Sequence, residues 1–194
     1  MNILILLFML LSTNEVIIDS KLTLKEATKD TKAPKEVLDS IVLLDLEYYS
    51  FDNKVHKGQI LVNKAVEEDV KFIFNLMLKN KMQINKMIPI VKYNWDDDKS
   101  MEDNNTSAFN YRFVANTTRL SNHALGRALD INPQLNPVYY SDGKMSPSNG
   151  KRDTSKAYTF TAEHFVVKEL KKRGWRWGGD WTSLKDYHHF DKLD

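Results

Sequence analysis

The sequence predicts a domain that mixes strands with helices, and three stretches carry that expectation. Residues 41–49 are rich in β-branched and aromatic side chains, and residues 55–63 read as a second strand. Asp52 and Asn53 between them are turn formers. Val66, Val70, Ile73, Phe74 and Met77 then recur at helical spacing, after Asn63 as a cap and with Glu67 and Glu68 in the first turn. That stripe reads as a helix face buried in the core.

The remaining elements follow in order. Residues 88–93 look like a short strand. Residues 95–105 are acidic, but they lack the central glycine and alternating oxygen ligands of an EF-hand loop and read as a solvated loop or helix start. Residues 127–131 suit a strand. Residues 132–156 hold Pro133, Pro137, Pro147, Gly143 and Gly150, a long irregular segment of the kind that is functional or disordered. Thr161 is placed to cap a helix carrying Phe165, Val166 and Leu170 and ending at Gly174.

The N-terminus divides from the rest. Residues 3–11 are an unbroken apolar run, too short to span a bilayer as a helix. They suit the core of an export signal, which would place the protein outside the cell or at its envelope; the other reading is a strand or helix packed on the domain. Polar, Lys- and Thr-rich residues follow. The expected division is a signal or hydrophobic segment over 1–13, a linker over 14–39 and one domain over 40–194, acting as a monomer.

Composition narrows the chemistry. The chain of 194 residues has room for one ordinary domain. Its 28 basic and 26 acidic residues leave a net charge of +2, which gives no electrostatic basis for binding nucleic acid. It contains no cysteine, so thiol catalysis, disulfides and Cys-held zinc are excluded, and any metal must be held by His and carboxylate.

Two segments can supply such a site. In Ser121-Asn122-His123-Ala124-Leu125-Gly126-Arg127-Ala128-Leu129-Asp130, the glycine permits a tight turn between His123 and a strand on which Ala128 and Asp130 share a face. A neutral imidazole and a carboxylate converging there are good zinc ligands. The second segment runs from Gly174 to Trp181 and is followed by Asp186-Tyr187-His188-His189-Phe190. His189 can be the third ligand of an open site, with Asp186 beside it as general base. Gly178 and Gly179 permit close backbone approach, and Trp175, Trp177 and Trp181 can wall the site. His188 competes for the ligand role, but strand alternation points only one of the two histidines at Asp130.

These two segments resemble the S-x-H-x-x-G-x-A-x-D and D-x-x-H signatures of the zinc D-alanyl-D-alanine peptidases and the related L-alanyl-D-glutamate endopeptidases. The resemblance covers about residues 104–190. It implies the α+β fold shared with Hedgehog signalling domains, a small antiparallel central sheet with flanking helices. It also implies one zinc ion on His123, Asp130 and His189, with Asp186 as base. A substrate-binding or oxyanion-stabilising arginine belongs to the same pattern. Arg112 is its nearest match, with Arg119 and Arg127 as alternatives. Ser121 either orients His123 or touches substrate. The implied activity is hydrolysis of peptidoglycan stem peptides, foremost as a D-alanyl-D-alanine carboxypeptidase. An endopeptidase and a non-catalytic cell-wall binding module on the same fold are the alternatives.

Overall fold

Strand β1 (Ile17–Ile18) lies parallel to the third strand, with Ile17 opposite His56. The computed structural model describes residues 15–114 and 117–193, so the apolar run at 3–11 lies outside the described residues. Helix α1 (Leu24–Ala27) opens on a capping box: Thr23 accepts from the Glu26 amide, and Glu26 accepts from the Thr23 amide at 2.7 Å. Helix α2 (Lys35–Leu38) follows Pro34. The stretch expected as a linker is therefore folded onto the domain. Ala27, Leu22, Ala33, Val37 and Leu38 pack with Ile41, Leu61 and Phe109. Gln59 ties the segment down, accepting from Ser20 Oγ and the Leu22 amide, both at 2.7 Å. Four-residue helices show no periodicity, so only packing reveals them.

Strands β2 (Ile41–Tyr49) and β3 (Val55–Asn63) pair antiparallel along their whole length, from Ile41 opposite Asn63 to Tyr49 opposite Val55. Asn53 takes a left-handed conformation in the turn, which its short polar side chain tolerates. Asn63 caps a 3-10 turn (Lys64–Val66) that runs into α3 (Glu67–Lys79). Val70, Ile73, Phe74 and Met77 are all fully buried, each contributing about 1.5–3 kcal/mol.

The strand expected over 88–93 is instead a 3-10 turn (Ile90–Tyr93). Pro89 lacks a ladder donor, and the Asn105 side chain satisfies both the amide and the carbonyl of Ile88. Helix α4 (Asp97–Glu102) begins in the acidic stretch, capped by Asp96.

A 3-10 turn (Asn122–Leu125) leads into β4 (Ala128–Asp130). Strands β5 (Val138–Tyr140) and β6 (Met145–Ser146) lie within the long irregular segment. Helix α5 (Phe165–Lys172) is capped by His164, not Thr161: His164 Nδ1 accepts from the Val166 amide while Nε2 donates to the Ala157 carbonyl. The last elements are β7 (Arg176–Trp177), a 3-10 turn (Gly178–Asp180), β8 (Leu184–Asp186) and β9 (His189–Asp191).

Among the described residues the strands form three small sheets, ordered β1-β3-β2, β4-β9-β7 and β6-β5-β8. The architecture is mixed and compatible with α+β, but the single central sheet expected is divided in three. The strands after residue 127 are only two or three residues long, and loops separate them. One core joins them: Leu129 and Phe190 from β4 and β9 pack with Phe74, Phe160, Val167 and Trp177.

Candidate metal centre

In the β4–β9 pair Leu129 lies opposite Phe190, and Asp130 opposite His189. Alternation sends the first pair into the core and the second to the other face, where a cleft of about 640 Å³ opens. His123 is brought to the same cleft by the 3-10 turn at 122–125. Ser121 caps that turn, its Oγ accepting from the His123 amide at 3.2 Å. Gly126 closes it with φ of 67°, and a Cβ there would lie 2.7 Å from the Asn63 amide nitrogen. Only glycine allows the turn to sit so tightly against β3.

His123 Nδ1–H donates to the Ala108 carbonyl at 2.6 Å, which leaves the Nε2 lone pair facing the cleft. Nε2 is 3.1 Å from His189 Nδ1 and 3.2 Å from Asp130 Oδ2, and His189 Nδ1 is 3.0 Å from Asp130 Oδ1. All three residues are buried, and one donor atom of each lies within 4.8 Å of the others. Burial alone would raise the Asp130 pKa, but His123 and His188 hold it well below the ordinary carboxylate range. Burial alone would lower that of His189, yet Asp130 and Asp191 raise it to about 10. The cluster is built to keep a positive charge at its centre. A divalent cation would take the place of the His189 proton.

Asp186 ends β8, opposite Val138 of β5. Burial raises its pKa above the ordinary value. Its Oδ1 is buried without a hydrogen-bond partner, although His188 Nε2 lies 3.1 Å away. Two imidazoles, one carboxylate and an unpartnered carboxylate oxygen beside them are the donor set of an open zinc site with an adjacent base. The residues fit the ion.

His188 corrects the alternation argument. It precedes β9, where strand alternation has no force, and it faces the same cleft as His189. Its Nε2 is 3.9 Å from Asp130 Oδ1, while Nδ1–H donates to the Asn136 carbonyl at 2.9 Å. It nevertheless stands outside the convergent three.

Of the three tryptophans expected around the site, only Trp181 walls it, its ring 5.2 Å from that of His189. Trp175 and Trp177 are core residues. Gly178 does allow a close approach: a Cβ there would meet the Asp186 carbonyl oxygen at 2.5 Å. Arg112 and Arg119 line the cleft, and Arg127 is not among its lining residues. Arg112 Nη2 is 2.7 Å from Asp97 Oδ2, and its buried Nε has no partner. Ser121 engages its own turn and also lines the cleft.

Sequence reasoning missed Asp191. It lies 3.6 Å from His189 Nε2 and is itself held by Arg176 Nε at 2.9 Å and Asn122 Nδ2 at 2.6 Å. The signal was available: two residues beyond His189 on one strand is the same face.

Residues 115–192 match a family model described as D-alanyl-D-alanine carboxypeptidase. No solved structure matches the chain. The matched stretch is similar to that family and holds His123, Asp130, Asp186 and His189.

Proposed function

We propose that the protein is a zinc peptidase that hydrolyses peptidoglycan stem peptides, foremost as a D-alanyl-D-alanine carboxypeptidase. One observation carries this reading: His123, Asp130 and His189 converge in a cleft beside a buried Asp186 oxygen that accepts no hydrogen bond and lies 3.1 Å from His188 Nε2. Zinc on the three ligands would polarise a scissile carbonyl and acidify water. Asp186 accepts the proton of the attacking water and returns it to the leaving amine; its raised pKa brings it closer to working pH. Arg112, steadied by Asp97, offers a cationic donor to the oxygen that gains charge. Trp181 covers one side of the ligand set and limits water there.

The proposal includes the location. The apolar run at 3–11 is read as an export signal, since the substrate lies outside the cytoplasm. Among the described residues no helix is long and apolar enough to cross a membrane. The catalytic unit is taken as residues 40–194, with 15–39 packed upon it.

Digestion of purified muropeptides, followed by mass analysis, tests the reading. Loss of one terminal alanine is the expected result. Cleavage between the first two stem residues would make the protein an endopeptidase. No turnover with zinc fully bound would leave a binding module. Asp186→Ala should keep the ion and lose about 10²–10⁴-fold in turnover. Asp130→Ala should lose both, since it removes a ligand and its charge.

A further inference from the structure

His188 has no part in the proposed hydrolysis, yet its ring is held as that of His123 is. Each donates Nδ1–H to a backbone carbonyl, His123 to Ala108 at 2.6 Å and His188 to Asn136 at 2.9 Å. Each is left with an Nε2 lone pair in the cleft that both residues line. Asn136 is itself tied down: its side chain accepts from the Phe160 amide at 2.7 Å and donates to the Tyr158 carbonyl at 3.0 Å. The His188 side chain is only 3% exposed, and among the described residues its Nε2 makes no hydrogen bond. Asp186 Oδ1, buried and likewise without a hydrogen-bond partner, lies 3.1 Å from that nitrogen. Two donor atoms thus face one another with nothing between them that satisfies either.

Imidazole nitrogen and carboxylate oxygen are zinc donors, and on one ion they stand roughly 3–3.5 Å apart. The gap between His188 and Asp186 has that width. Asp130 stands at the border of the two donor sets, its Oδ2 3.2 Å from His123 Nε2 and its Oδ1 3.9 Å from His188 Nε2. We propose that His188 Nε2 and Asp186 Oδ1 form a second, weaker zinc site, which fills only when zinc exceeds one ion per chain and then stops hydrolysis by occupying the base. The second site is weaker for two reasons. It has two donors of its own against three, and Asp130 and Asp186 together already balance the two charges of the first ion. A filled second site takes the Asp186 lone pair that would accept the proton of water. The effect on turnover rests on the peptidase reading, whereas the site is read by binding alone.

The test is equilibrium dialysis of the full chain against rising zinc, in the natural protein, His188→Ala and the isosteric Asp186→Asn, with melting as a check on folding. The natural protein should bind one ion tightly and a second at higher concentration. Both variants should keep the first and lose the second. Hydrolysis of a stem peptide ending in D-alanyl-D-alanine is then compared, in each protein, at one equivalent of zinc and at saturation. Saturation should slow the natural protein toward the 10²–10⁴-fold loss expected of a missing base. His188→Ala, judged against its own rate at one equivalent, should resist the excess. A natural protein that stops at one ion overturns the inference, because the two donors then share no more than a proton. A second ion retained by His188→Ala overturns it as well, since the ion then lies elsewhere. A second ion lost as expected but without inhibition overturns the capture of the base. Absence of turnover at every zinc concentration counts against the peptidase reading instead, and the dialysis still decides the site.

Discussion

His188 and His189 are neighbours in the chain and in the cleft, and they differ in what each ring nitrogen is already doing. His188 donates Nδ1–H to the Asn136 carbonyl and turns Nε2 toward Asp186. His189 turns Nδ1 to Asp130 and His123. His123→Ala and His189→Ala should therefore empty the site, while His188→Ala keeps its ion, as read by elemental analysis of the purified variants. An empty site in His188→Ala with a full one in His189→Ala would reverse the assignment. Asp191 acts through His189, since its carboxylate faces the ring nitrogen that the ligand set does not use. Asp191→Asn should weaken zinc affinity by about 10–100-fold in a competition titration with a chelator. An affinity equal to that of the natural protein would show that Asp191 serves only Arg176 and Asn122.

At the scale of elements, the position of β8 depends on Gly178. A Cβ there would lie 2.5 Å from the Asp186 carbonyl oxygen and 2.7 Å from its Cβ. Gly178→Ala must push Asp186, the proposed base, aside while leaving His123, Asp130 and His189 in place. Turnover should fall by about a hundredfold, the cost of misplacing a reacting group by an ångström, with zinc content unchanged. A second joint holds α3 to the C-terminal strands. Asp69 accepts from Arg173 Nη1 at 3.1 Å, Trp175 Nε1 at 3.0 Å and Lys192 Nζ at 2.8 Å. Burial alone would raise its pKa, but these three donors together lower it. A folded pKa below the unfolded one gives stability that is complete above the unfolded value, near pH 4, and is lost as pH falls through the folded value. Asp69→Asn should cost about 1–3 kcal/mol at neutral pH, and the difference should shrink in acid. Denaturant unfolding of both proteins between pH 2 and 7 measures it, and a gap that stays constant with pH would refute the assignment.

The whole molecule closes its second core with the N-terminal segment. Leu22, Ala27, Val37 and Leu38 cover Ile41, Leu61 and Phe109, and Trp95 Nε1 donates to the Lys29 carbonyl at 2.9 Å. A chain beginning at residue 15 should melt like the full protein. One beginning at residue 40 should lose several kcal/mol, at about 1.5–3 kcal/mol for each apolar side chain left uncovered. Equal melting of the two shortened chains would return residues 15–39 to the status of a linker.

What the amino-acid order settled alone is what short-range geometry encodes. A β-branched and aromatic run over 41–49, a second strand-like run over 55–63 and a polar turn between them specify the hairpin, and the spacing of Val70, Ile73, Phe74 and Met77 specifies α3. The short separations of His123 from Asp130 and of Asp186 from His189 marked both segments as candidates for the site, because each pair sits within one turn or strand end. Tertiary structure decided the rest. Pro89 and the distant Asn105 turned an apolar run into a 3-10 turn. Packing against Ile41 and Phe109 ordered two helices too short to show a period. Asp97 and Asp191 each took an arginine. Periodicity reports which face of an element meets the core, whereas the partner of a charged group is fixed only when distant segments fold together.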